Sequence, residues 1–447
     1  MSDDVAEVVV DPARARFYAE GWQSWSPTTW SRWGRPHRPA EEWQHTMRFR
    51  PGSVLPEGDV LQGEGLLVVD PGTGAPAVRC SVTEAREQVA TIRARLDGDR
   101  VRVSADGPVE CVEHEDPVAA LTAFGDAFAH RAGVGDLRPA PRVWCSWYRY
   151  FEEVTARDVE ENLAEFDDAG LPVEVVQIDD GWSAGLGERL RPSAGFPDLP
   201  GLVDRIRATG RRAGIWLAPF LVGADTEVAR EHPDWLTGDA GRNWGQDLQG
   251  LDLTHPAVRD YLATVVRGLV GLGVDYLKLD FLYAGAVPGP RHDDVSGVAA
   301  YRSGLELIRD AAGPDTYLLG CGAPILPSVG LVDAMRVSPD TFHEGGEDGS
   351  TGLRGRMSLV ARSWQHGRFW INDPDTLVGR PTYTLREEWA HAVETYGGLR
   401  AFSDRVAELD PWGLATVRRM LADVPGPGPF PDAVVARGLD LAAEDRR

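Results

Sequence analysis

Lysine is almost absent from this chain. Of its 46 lysines plus arginines, Lys278 alone is lysine. A general preference for arginine explains the other basic positions but not this one, which sits in "YLKLDF" (276–281), two residues before Asp280. Cysteine is scarce as well. Cys80, Cys111, Cys145 and Cys321 are far apart with no CxxC spacing, which excludes the common zinc and thioredoxin motifs. They read as buried thiols of a reducing compartment rather than a disulfide framework. The 10 histidines include no HxxxH or HExxH pair, so no zinc signature is present. No stretch approaches the roughly 20 apolar residues of a membrane span. The opening "MSDDVAEVVV" carries acids where a signal peptide needs a basic start. The expectation is a cytoplasmic protein without membrane partners. Positive charge is also short overall: the net charge is −23 and the pI about 4.8. Such a field repels nucleic acid and argues against a strongly anionic substrate, unless a local basic site overrides it.

What is present divides into two textures. Residues 1–132 hold short alternating runs, "AVRCSV" (77–82), "VATIRARL" (89–96) and "RVRVSA" (100–105), broken by Gly, Pro and Asp. Period-two patterning of this kind predicts a small antiparallel β-domain. A helix is predicted at 116–132, then a linker at 133–142. From 143 to 424 short apolar runs alternate with amphipathic stretches: "VWCSWY", "VEVVQIDD", "RAGIWLAP", "VDYLKLDF", "TYLLGCGAP", "AMRVSPD", "RFWINDPD" and "GGLRAFSD". Eight strand candidates separated by helices predict a (β/α)8 TIM barrel, in preference to a doubly wound sheet, which lacks its GxGxxG. Residues 425–447 read as a C-terminal tail.

Barrel enzymes place their chemistry at the C-terminal strand ends, and here those ends are polar: "QIDD", "KLD", "GCG", "RVSPD", "NDPD". Alternation puts Lys278 and Asp280 on the inner face of the fourth strand and Leu277 and Leu279 toward the helices. Arg336, Ser338 and Asp340 share a side of the sixth if that strand stays extended through Pro339. Buried charges must be paired or used, and Asp280 and Asp340 are the candidate catalytic pair. Two carboxylates across a barrel mouth suit glycoside chemistry, one attacking an anomeric carbon and the other protonating the leaving oxygen; retaining enzymes hold them about 5–5.5 Å apart. The nucleophile has to stay ionised, which Lys278 favours, and the acid has to keep its proton, which desolvation favours. Arg336 would depress a nearby carboxylate's pKa and is assigned to binding. Tryptophan points the same way. Trp22, Trp25, Trp30, Trp33 and Trp43 crowd the N-terminus, and "GWQSWSPTTW" looks like a shaped loop that lays an indole over a site.

"WCSWYRYF" (144–151), "QIDDGW" (177–182), "GIWLAPF" (214–220), "YLKLDF", "LGCGAPILPSVG" (319–330) and "MRVSPDT" (335–341), with "RFWINDPD", resemble glycoside hydrolase family 36, and the chain is similar to its compact prokaryotic α-galactosidases. The resemblance implies a retaining, exo-acting α-galactosidase without cofactor or metal, with α-galactoside oligosaccharides as partner substrates. It matches Asp280 to the nucleophile and Asp340 to the acid/base. It matches Trp147, Tyr148, Asp179, Asp180, Trp216, Lys278, Cys321 and Arg336 to substrate-binding positions, and Trp25 to a tryptophan closing over the pocket. Relatives carry longer N- and C-terminal β-domains, which leaves aglycone preference and oligomeric state open. Other readings are an α-N-acetylgalactosaminidase or transglycosylase, a Schiff-base aldolase using Lys278, a metal-dependent barrel using Asp179, Asp180 and Asp280, and a non-catalytic sugar-binding protein.

Overall fold

The computed structural model describes residues 3–32, 45–51, 60–188, 190–343 and 345–444. Trp33 and Trp43 lie outside the described residues.

The N-terminal region is a pair of antiparallel sheets. Strands Asp3–Val9, Arg100–Ala105, Thr91–Asp97 and Val60–Glu64 form one, in that spatial order; Thr29–Arg32, Arg16–Ala19, Leu66–Asp70, Ala77–Ser81 and Glu110–His114 form the other. Alternation does what the sequence predicts: Arg100 and Arg102 face solvent while Val101, Val103 and Ala105 are buried. Those three meet Phe17, Leu67 and Val69 of the second sheet in a sandwich core. The other face of that sheet, with Tyr18, Trp30, Leu66 and Val68, packs into the core that surrounds the barrel.

Cys80 and Cys111 correct the expectation of four free thiols. They stand opposite each other on paired strands and form a disulfide. Strand register opposes them, and their separation of 31 residues carries no trace of it. Cys145 and Cys321 remain free and buried.

Eight parallel strands follow: Arg142–Cys145, Val175–Ile178, Arg212–Leu217, Val274–Leu279, Tyr317–Gly320, Ala334–Arg336, Ile371–Asp373 and Arg400–Phe402. Apart from Arg142, one residue early, all lie inside the predicted runs. The first seven pair in chain order, and the first also pairs with the eighth. The seventh and eighth share no ladder. Their seam is closed by a Leu377–Phe402 bridge and by the Gly398 and Leu399 N–H groups donating to the Asn372 carbonyl. Strand faces divide as expected: Tyr276 joins Val143, Val175, Tyr317, Leu319 and Ile371 inside the barrel, while Leu277 and Leu279 join the helix-side core. The sixth strand ends at Arg336, and the chain bends at Ser338 and Pro339, so Asp340 does not continue its extended line.

Two features went unpredicted. Between the third and fourth barrel strands, Leu221–Gly223, Leu236–Asn243 and Gln246–Leu251 form a separate antiparallel sheet over the barrel mouth. The expected C-terminal tail carries a helix, Asp432–Glu444, whose Val435 and Leu439 are buried. Among the described residues, no helix is long and apolar enough to cross a membrane.

Candidate active site

A cavity of about 570 Å³ opens at the C-terminal strand ends. Trp25, Trp147, Asp179, Asp180, Trp216, Lys278, Asp280, Arg336 and Asp340 all line it, so most of the predicted constellation converges. Tyr148 and Cys321 stand behind the wall. The Tyr148 hydroxyl donates to Asp375, and the Cys321 thiol donates to Asp280.

Lys278 answers to the second strand rather than to its own. Its Nζ donates to Asp179 Oδ2 at 2.8 Å, and Gln177 Nε2 donates to the same oxygen at 2.6 Å. The Asp180 N–H holds Asp179 Oδ1 at 3.0 Å. Burial works against the charge on Lys278, but Asp179 and its other anionic neighbours raise its pKa well above the usual lysine range. A permanently charged ammonium is a poor Schiff-base nucleophile. Asp180 has no such partner: burial, with repulsion from Asp179, Glu152 and Asp280, pushes it up to about 7.

The two candidate catalytic acids are tuned in the reverse of the expected sense. Asp280 is buried, accepting from Trp216 Nε1 at 3.0 Å and from the Phe281 N–H at 2.9 Å. Burial raises its pKa further than Lys278 and these donors lower it. Burial also pushes Asp340 up, but Arg336, whose Nη2 lies 2.7 Å from Oδ1, together with His343 and Lys278, brings it below the ordinary carboxylate value. The same Arg336 nitrogen donates to Asp375 Oδ2 at 2.6 Å. Asp375, which sequence reasoning left without a role, also accepts from the Thr341 N–H at 2.8 Å and so anchors the segment that carries Asp340. Its one signal was its place in the polar close of the seventh strand.

Backbone strain gathers here. Phe151 (φ 46°), Trp244 (φ 46°) and Phe281 (φ 50°) line the cavity, and Asp375 (φ 84°) holds Arg336. A non-glycine residue at positive φ costs about 1–3 kcal/mol and persists only where its surroundings fix it. Trp244 shows how. With Gly245 (φ 72°) it forms the two-residue hairpin between Leu236–Asn243 and Gln246–Leu251, a turn that needs positive φ at both positions. Its ring packs on Phe281 at 5.2 Å, presenting indole to the cavity.

Trp25 reaches the cavity from the N-terminal sandwich and packs edge-on against Phe281 at 5.0 Å. Its loop is clamped to the barrel by Arg362, which donates to Glu20 Oε1 (2.8 Å), the Ser24 carbonyl (2.8 Å), the Gln23 carbonyl (3.1 Å) and Thr28 Oγ1 (2.6 Å). Neither Arg362 nor Glu20 is exposed at all. Losing one partner of so buried a pair strands the other charge, at a cost of about 3–5 kcal/mol. Nothing in the sequence around Arg362 pointed to this clamp. Met47, Arg48, Asn243, His343 and Arg354 are further lining residues. Among the described residues, no group of His, Cys, Asp or Glu is arranged to hold a metal ion.

The melibiase family model matches residues 138–297, which include Asp179, Asp180, Trp216, Lys278 and Asp280. An α-galactosidase from Thermus thermophilus, solved in complex with stachyose, is 31% identical, covers 91% of this chain and 90% of its own, and superposes with a TM-score of 0.74. The chain belongs to the melibiase family, glycoside hydrolase family 36. A probable α-galactosidase C of Aspergillus flavus is 28% identical over 210 residues, 42% of this melibiase-family chain but 27% of the fungal protein, so the match spans about a quarter of such curated relatives. The family 36 α-galactosidase of Geobacillus stearothermophilus shares the fold at 14% identity and a TM-score of 0.60, covering 93% of this chain and 61% of its own.

Proposed function

We propose that this protein is a retaining, exo-acting α-galactosidase that works by double displacement, with Asp280 as nucleophile and Asp340 as acid/base. The observation that carries the proposal is the convergence of both carboxyl groups on one walled cavity beside the Lys278–Asp179 pair. Asp280 attacks the anomeric carbon while Asp340 protonates the departing oxygen; water then attacks that carbon, giving its proton to Asp340 and displacing the Asp280 carboxylate, so the sugar leaves with its configuration retained. Asp179, Asp180 and Lys278 offer acceptors and donors to ring hydroxyls, and Trp25, Trp147 and Trp216 offer indole to the sugar's C–H face. Arg336 offsets charge at the reacting centre.

Incubation with 2-deoxy-2-fluoro-α-galactosyl fluoride tests the proposal. Mass spectrometry is expected to find the label on the peptide containing Asp280, and the anomeric configuration of normal products is expected to be retained. No label together with no turnover of any aryl α-glycoside would remove the enzyme reading. A panel of nitrophenyl α-glycosides that includes the N-acetylgalactosaminide fixes the sugar.

Lys278→Arg is expected to lower kcat/KM by about 100-fold, because a longer planar guanidinium in a largely buried place displaces Asp179 and the sugar it positions. Steady-state kinetics on an aryl galactoside measure the loss; wild-type values would show that any cation serves at 278.

A further inference from the structure

The cavity wall around Asp340 carries more positive charge than its own acids use. Lys278 is bound to Asp179, and Arg336 to Asp340 and Asp375. Arg354 lines the same cavity, is exposed, and among the described residues has no ion-pair or hydrogen-bond partner. Of the described acids in its own loop, Glu347 accepts from the Gly345 N–H at 3.1 Å, and Asp348 from the Ser350 N–H at 2.8 Å. His343 lines the same cavity, and among the described residues its buried Nε2 has no partner. His343 and Arg354 lie near enough to Asp340 to act on it electrostatically, and Asp179 and Glu152 act on Asp180 in the same way, with Asp280 acting on Asp180 and acted on by Asp340.

The chemistry assigns these two groups. An acid/base has to face the leaving oxygen, so the wall with Arg354 and His343 faces the aglycone and the acidic group faces the ring hydroxyls. We infer that the aglycone side is an anion subsite, in which Arg354 receives a carboxylate or phosphate carried by the leaving group of an α-galactoside. The inference rests on the α-galactosidase reading and deepens it. A guanidinium offers paired N–H donors that match both anions. The chain's net charge of −23 opposes anions at long range, but beyond a Debye length of about 8–10 Å salt screens that field and leaves the local cation to act.

The test compares kcat/KM for 4-carboxyphenyl and 4-carbamoylphenyl α-galactosides in the wild type, Arg354→Gln and Arg354→Lys. Because each variant is read as a ratio of two substrates, differences in leaving-group reactivity and in folded fraction cancel. The carboxylate-to-carboxamide ratio is expected to fall about fivefold in Arg354→Gln, to be largely kept in Arg354→Lys, and to shrink in the wild type as salt rises to roughly 0.5 M. A second pair, α-galactosylglycerol and its glycerol phosphate, identifies the anion: a phosphate advantage lost in Arg354→Gln supports the subsite equally. Ratios that neither the variant nor salt moves would overturn it. Turnover of 4-nitrophenyl α-galactoside with unmoved ratios refutes the subsite alone, and no turnover of any substrate refutes the α-galactosidase reading with it.

Discussion

Replacing Asp280 by alanine is expected to lower kcat by about four orders of magnitude or more and to leave the fold at least as stable. Both halves follow from the site. In the proposed mechanism this carboxylate forms the covalent intermediate, and Trp216 Nε1 and the Phe281 N–H hold it in place. Removing it leaves the sugar-binding groups in place but no attacking atom. The stability half follows from the pKa. Asp280 titrates above its unfolded value because burial outweighs its partners, so it contributes stability only at low pH and loses it as pH rises through its folded pKa. Above that pKa the ionised group is a cost to the fold, and alanine removes that cost. Azide should restore part of the turnover of an activated aryl galactoside. It enters from the face that Asp280 vacates, so the product is the β-galactosyl azide. A variant that keeps substantial turnover, or that loses activity only in step with its melting temperature, would dismiss Asp280 as nucleophile.

The barrel was readable because parallel strands covered on both faces leave apolar runs, and because those runs end in clustered acids that a packed core does not tolerate unused. Period-two alternation then placed Lys278 and Asp280 inside and Leu277 and Leu279 outside. The same rule does not reach Asp340, two strands on, because it required an extended chain through Pro339, and the chain bends there and brings the carboxylate onto Arg336. Partners across elements were harder to see. Lys278 reads as a neighbour of Asp280, yet its contact is Asp179, 99 residues away. Arg362 and Glu20 lie 342 residues apart, and only the docking of the sandwich on the barrel brings them together. The Cys80–Cys111 pair depends on register in the same way. The sheet at 221–251 was missed because its strands carry Gly, Asp, Arg and Gln where a covered strand carries Val and Ile; it lies over the mouth rather than within the barrel.

Asp340→Ala is expected to sort substrates by their leaving groups. Galactosides that depart as poorly acidic sugar alcohols need the proton and should lose about 10²–10⁴-fold in kcat/KM, whereas strongly activated aryl galactosides should lose far less. The pH profile adds a second readout. Asp280 is biased toward holding a proton and Asp340 toward losing it, so the productive form, ionised at 280 and protonated at 340, is the minor of the two singly protonated states. In the wild type, kcat/KM therefore falls once pH exceeds the higher of the pair's two pKa values and both carboxyls are ionised. The variant keeps only Asp280, which acts when ionised. Its kcat/KM on an activated galactoside should rise through that group's pKa and then hold level, with no alkaline fall. A loss of equal size across all leaving groups, or an alkaline limb that survives the substitution, would strip Asp340 of the acid's role and leave it as the counter-charge of Arg336.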